Sequence, residues 1–81
     1  MTFTIEVNQP GKHDRAMLTD EHSASSYGIP VLIWNGEPYG PGDLPECQLV
    51  AHWHKARTGP VWKFIEKAMT AGYPIDICHY C

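Results

Sequence analysis

One stretch of sequence decides the fold, residues 43–74: DLPECQLVAHWHKARTGPVWKFIEKAMTAGYP. Its second half is typical of an amphipathic helix over about residues 60–71. At about 100° per residue, one half of the helix surface is apolar and the other half is polar or charged. The apolar half consists of Ala71, Phe64, Ala68, Val61, Ile65, Met69 and Trp62. Gly72 followed by Pro74 is a typical end signal. We therefore predict a helix with Phe64 and Ile65 as core anchors.

The first half of the stretch favours another helix, at about residues 44–57. Asp43 can cap it, Glu46 can complete a capping box, and Pro45 is tolerated in a first turn. Two helices joined by a tight turn resemble a helix-turn-helix in outline. The exposed face of the second helix, however, lacks the Asn, Gln or Arg side chains that read base edges. We therefore expect no direct binding to nucleic acid.

Alternation of apolar and polar residues predicts strands at residues 2–7 and 75–80. Residues 29–39 are typical of a β-hairpin, because Asn35-Gly36 is a strong two-residue turn signal. Residues 12–19, after the turn signal Pro10-Gly11, fit either a strand or a short helix. The sequence thus predicts one α+β domain over residues 1–81. Its sheet is small and antiparallel, with three or four strands, and packs against two helices.

Composition limits the classes of protein. Apolar residues make up 43% and charged residues 19% of the chain, which fits a globular fold. The net charge is −3, and residues 1–43 hold six acids but only Lys12 and Arg15 as bases. This acidic half would repel phosphates. The chain has no run of about 20 apolar residues and no signal-peptide pattern, so we expect a cytoplasmic protein without a membrane span.

Cysteine and histidine residues suggest metal or thiol chemistry by their type. Three Cys residues do not form a disulfide framework, and a reducing compartment keeps them as thiols. Cys47 and His54 would stand about 10 Å apart on the predicted helix, too far to share a metal ion. We therefore predict no metal and no cofactor. If there is a zinc site, it uses Cys78, Cys81 and His79, which have knuckle-like spacing.

Catalytic motifs are also lacking. Cys78 and Cys81 also have the CxxC spacing of a redox motif. Such a motif needs a helix after it that lowers the pKa of the thiol, and no helix follows here. Cys47 could act as a nucleophile with a histidine, but Glu46 beside it opposes formation of a thiolate. We predict that the protein is not an enzyme. The alternative is a small zinc-stabilised or Cys/His-dependent enzymatic domain.

Acidic and aromatic side chains are the remaining candidates for function. Trp and Tyr are typical anchors of protein interfaces, and clustered acids attract basic partners. The binding residues that we predict are Asp14, Asp20, Glu21, Glu37, Trp62 and Tyr39. We expect a small non-enzymatic protein-binding module, an inhibitor or regulator that occupies a surface of a larger nucleic-acid-handling complex. A homodimer is a further partnership that we consider.

In size, acidity and lack of catalytic motifs, the chain resembles the small inhibitors encoded by phages and mobile elements, anti-CRISPR proteins among them. The resemblance implies a protein partner, with the acidic half imitating nucleic acid in a basic groove. Apart from the resemblance, the clustered acids and the lack of a catalytic cluster predict that binding does not depend on the thiols.

Overall fold

The computed structural model of the chain describes residues 1–21, 28–52 and 59–78. These residues form six β-strands, one α-helix and a 3₁₀ turn. In chain order they are β1 (Thr2–Gln9), β2 (Lys12–Thr19), β3 (Val31–Trp34), β4 (Glu37–Tyr39), the 3₁₀ turn (Pro41–Asp43), β5 (Gln48–His52), α1 (Gly59–Thr70) and β6 (Ile75–Cys78).

The strands form one mixed sheet in the order β4-β3-β2-β1-β5-β6. β1 to β4 follow one another as antiparallel neighbours, and β5 pairs antiparallel with the other edge of β1. β6 is parallel to β5, and α1 lies between these two strands in the chain. The first strand of the chain therefore lies in the interior of the sheet.

One face of the sheet carries the core. Its buried residues alternate along the strands and pack against the apolar side of α1. The core consists of Ile5, Val7, Ala16, Leu18, Leu32, Trp34, Leu49, Ala51, Phe64, Ile65, Ala68, Tyr73 and Ile75. The molecule measures 31 × 30 × 18 Å, which fits two layers, sheet and helix.

We call the opposite face of the sheet the open face. The strand registers place on it the residues that alternate with the core residues. They include Thr2, Thr4, Glu6, Asn8, His13, Arg15, Met17, Val31, Ile33, Pro38, Gln48, Val50, His52 and Asp76. Within the described residues, no helix lies on this face.

Both predicted turns are confirmed, and each joins two antiparallel strands. Gly11 has a φ of +78°, the positive value that a Pro-Gly turn requires at its second position. β2 follows it, so residues 12–19 form a strand rather than a short helix. Asn35 and Gly36 have φ values of 55° and 80°, as in the type I′ turn that matches the twist of two strands. These local signals fix the registers of β1 with β2 and of β3 with β4.

The predicted helix at about residues 60–71 is confirmed as α1. Phe64 and Ile65 are buried, 5% and 1% exposed. Gly72 has a φ of +109°, and the Tyr73 and Gly72 amides donate hydrogen bonds to the Ala68 and Met69 carbonyls, which is a Schellman cap. No helix in the described residues is long and apolar enough to cross a membrane.

The predicted fold of three or four strands against two helices is wrong. The sheet has six strands, and the described residues include a single helix. The predicted helix over residues 44–57 does not form where the structure describes it, because Gln48–His52 is strand β5. Residues 53–57 of that helix lie outside the described residues.

Non-local pairing explains this difference. In β5 the residues Leu49 and Ala51 are buried whereas Gln48 and His52 are exposed, which is a period of two. The same short segment also fits a helical period. The segment pairs with the free edge of β1, and this pairing selects the strand over the helix. Asp43 caps no α-helix; its Oδ2 accepts a hydrogen bond from the Gly40 amide in the 3₁₀ turn.

Candidate functional site

Three of the predicted binding residues meet around the indole of Trp34. The Trp34 Nε1–H donates a hydrogen bond to Asp14 Oδ2 over 3.0 Å. The Tyr39 ring lies with its centroid 5.6 Å from that of Trp34, at an interplanar angle of 49°. Glu37 is the cross-strand partner of Trp34. We call Asp14, Trp34, Glu37 and Tyr39 the acidic corner.

Local structure holds the acidic corner in place. Trp34 is only 3% exposed and belongs to the core, so its ring is a fixed platform. The turn at Asn35-Gly36 brings Glu37 back beside it. The hydroxyl of Tyr73 donates to the Tyr39 carbonyl over 2.7 Å and anchors β4 to the core. Few side-chain rotamers of the acidic corner need to be fixed when a partner binds, which lowers the entropic cost of binding.

Asp14 keeps its negative charge in this corner. The hydrogen bond from Trp34 lowers the pKa of Asp14, and the Arg15 amide, which donates to Oδ1 over 2.8 Å, lowers it further. Glu37 is exposed and Tyr39 half-buried. Two carboxylates beside an aromatic ring suit a cationic partner group such as a guanidinium, which pairs with carboxylates and stacks on rings.

The other three predicted binding residues lie elsewhere. Asp20 follows the far end of β2 from Asp14, and its Oδ1 pairs with the N-terminal ammonium of Met1. That hydrogen bond lowers the pKa of Asp20. Glu21 lies beside Asp20 and is exposed. Trp62 is half-buried on α1 and packs against the core. The predicted set is therefore not one patch.

A second polar cluster on the open face was not predicted. His52 Nε2 lies 2.5 Å from Glu6 Oε2. His13 Nδ1 lies 3.4 Å from Glu6 Oε1 and 2.6 Å from Asn8 Oδ1. The hydrogen bond with His52, reinforced by the charge of His52 and by the contacts with His13, lowers the pKa of Glu6. The cluster depends on the pairing of β1 with β5, which local sequence does not reveal.

A surface depression and the thiol of Cys47 are two further features of the described residues. A depression of about 380 Å³ is lined by Glu6, His13, Asp14 and Arg15, and it is open to solvent. Burial raises the pKa of Cys47, so its thiol is not activated as a nucleophile. Cys47 lies in the segment before β5 and not at a helix N-terminus. His54, considered with Cys47 as a metal ligand on the basis of the sequence, lies outside the described residues.

The residues named for a zinc site are only partly described. His79 and Cys81 lie outside the described residues. Cys78 is half-buried at the end of β6 and is disulfide-bonded, so it is not the free thiol that we predicted. Within residues 1–21, 28–52 and 59–78, no group of three His, Cys, Asp or Glu side chains could hold a metal ion.

No protein-family model, no curated protein and no solved structure matches this chain.

Proposed function

We propose that this chain is a non-enzymatic protein-binding module that occupies a basic surface of a larger protein. One observation carries the proposal: the acidic corner holds two carboxylates beside the half-buried ring of Tyr39, which packs against the buried ring of Trp34. Interfaces concentrate their binding energy in a few preorganised aromatic and charged residues. The expected action is inhibition or regulation by occupancy of that surface.

The charge of the whole molecule supports a basic partner. The chain carries nine Asp and Glu residues against six Lys and Arg residues, a net charge of −3. The field of such an excess speeds encounter with a basic surface and slows encounter with an acidic one. Basic surfaces of this kind are typical of proteins that handle nucleic acid, because they neutralise phosphates. The partner that we propose is a protein of this class.

The test is a charge reversal in the acidic corner. A partner captured by pull-down is purified, and its association rate is measured by surface plasmon resonance at low and physiological salt. Glu37→Lys should lower the association rate roughly two- to fivefold, because it replaces attraction by repulsion at an exposed site. Added salt should reduce the difference in association rate between the wild type and Glu37→Lys, because salt screens charge–charge interactions over about 8–10 Å.

The matched control is Glu66→Lys on the outer face of α1, which changes the net charge equally. Glu66 is exposed and lies outside the acidic corner. Glu66→Lys should change the rate less than Glu37→Lys. Equal effects of the two variants would show that only net charge matters, and an unaffected Glu37→Lys variant would contradict the proposal. Cys47→Ser should leave binding intact.

A further inference from the structure

We propose that the open face binds a second copy of this chain, so that two sheets pack face to face in a symmetric dimer. The proposal does not depend on the identity of the partner at the acidic corner, which lies on the other side of the sheet. It rests on three properties of the open face: an apolar strip, a balance of charge, and its breadth.

The strip crosses four strands at one level and is apolar on three of them, with Thr4 at its β1 end. The registers place Pro38 of β4 beside Ile33, Ile33 beside Met17, and Met17 beside Thr4 of β1. Met17 is 46% exposed, and Ile33 is half-buried. A sheet face that meets only water usually carries polar residues at such positions. Cover from another molecule would remove this apolar surface from water.

The charges of the open face suit a second copy. Glu6 lies opposite Arg15, and Asp76 accepts a hydrogen bond from Gln48. His13 and His52 both contact the Glu6 carboxylate. Two of the other acids, Asp14 and Glu37, lie on other parts of the molecule, on the core side of the sheet. A copy approaching those parts would be repelled, whereas the open face offers both signs of charge, as a self-complementary interface needs.

The breadth of the face sets the expected strength. The molecule extends 31 × 30 Å across its two longest directions, and the open face lies across them. Neighbouring strands about 4.8 Å apart make the sheet roughly 24 Å wide. Such a face can bury on the order of 600 Å² per copy, somewhat below the ~800 Å² per partner of a standard interface. We therefore expect a weak dimer that forms in the micromolar range or above.

The methionines provide probes for the interface. Met17 lies on the strip, whereas Met69 lies on α1 and is 40% exposed. In protein labelled with ¹³C at the methionine methyl groups, the Met17 signal should shift with concentration from about 10 μM to 1 mM, and the Met69 signal should not. Sedimentation velocity over the same range should show a monomer–dimer equilibrium. A monomer at every concentration would overturn the proposal.

Substitutions test whether the strip forms the interface. Met17→Lys should weaken the dimer at least about tenfold, because a buried unpaired charge is costly. Met69→Lys is the matched control and should leave dimerisation unchanged. Thr4→Lys places a charge at an exposed position of the strip, so it provides a second test if Met17→Lys does not fold. Folded Met17→Lys or Thr4→Lys protein that dimerises as the wild type does would overturn the proposal.

Discussion

Tyr73 shows how a single residue can join distant parts of this fold. Its side chain is buried, and its hydroxyl accepts a hydrogen bond from the Leu32 amide over 3.1 Å while donating to the Tyr39 carbonyl. Burial raises the pKa of Tyr73, so the hydroxyl keeps the proton that it donates. This one group ties the turn after α1 to β3 and β4, which carry the acidic corner.

Replacing Tyr73 by Phe should lower the free energy of unfolding by about 1–3 kcal/mol. The substitution keeps the ring but leaves a buried amide and a carbonyl without their partner. Urea unfolding followed by tryptophan fluorescence measures the change. Tyr39→Phe serves as the control, because the ring of Tyr39, and not its hydroxyl, makes the contact with Trp34. A loss no larger in Tyr73→Phe than in the control would contradict this role for the hydroxyl.

Among the helices, strands and turns, the correct predictions were those that rest on local sequence signals. α1 has a single apolar side and a glycine cap, and both hairpin turns contain residues that accept a positive φ. β5 was missed because its short segment fits two periodicities and only β1, far away in the sequence, selects the strand. Local signals cannot report such a partner.

The residues of the candidate site were likewise predictable only where local sequence signals placed them. The hairpin signal at Asn35-Gly36 and the acidic composition pointed to Glu37 and Tyr39. The hydrogen bond from Trp34 to Asp14 needs the pairing of β2 with β3, across a connection that includes residues 22–27. The contact of Glu6 with His52 needs β5 as a strand. The composition of the site was therefore visible in the sequence, but its assembly was not.

The packing of α1 against the sheet depends on the buried ring of Phe64. Phe64→Ala should cost roughly 3–5 kcal/mol in the free energy of unfolding, because it removes a buried ring from a small core. Lys63→Ala, at the neighbouring exposed position, should change stability by less than about 0.5 kcal/mol. Both are measured by chemical denaturation. Equal stability of the two variants would show that α1 does not depend on this ring.

The stability of the whole molecule without metal remains a prediction. Within the described residues the core is continuous from β3 to β6, and no cluster there could hold a metal ion. Treatment with a chelator should therefore leave the melting temperature unchanged, and metal analysis should find no stoichiometric zinc. A structural zinc ion contributes about 10 kcal/mol or more to folding, so a large drop in melting temperature on chelation would be decisive against this prediction.

The interior position of β1 also determines when the sheet can be completed during protein synthesis. β1, β2, β3 and β4 follow one another closely in sequence, so they can pair as soon as they leave the ribosome. The other edge of β1 stays unpaired until β5 is synthesised, and β5 lacks its parallel neighbour until β6 is synthesised. During this delay a nascent chain exposes the backbone groups of an interior strand. Any misassembly of this protein should therefore begin at the unpaired edge of β1, and fast translation of the segment from β4 to β6 should reduce it.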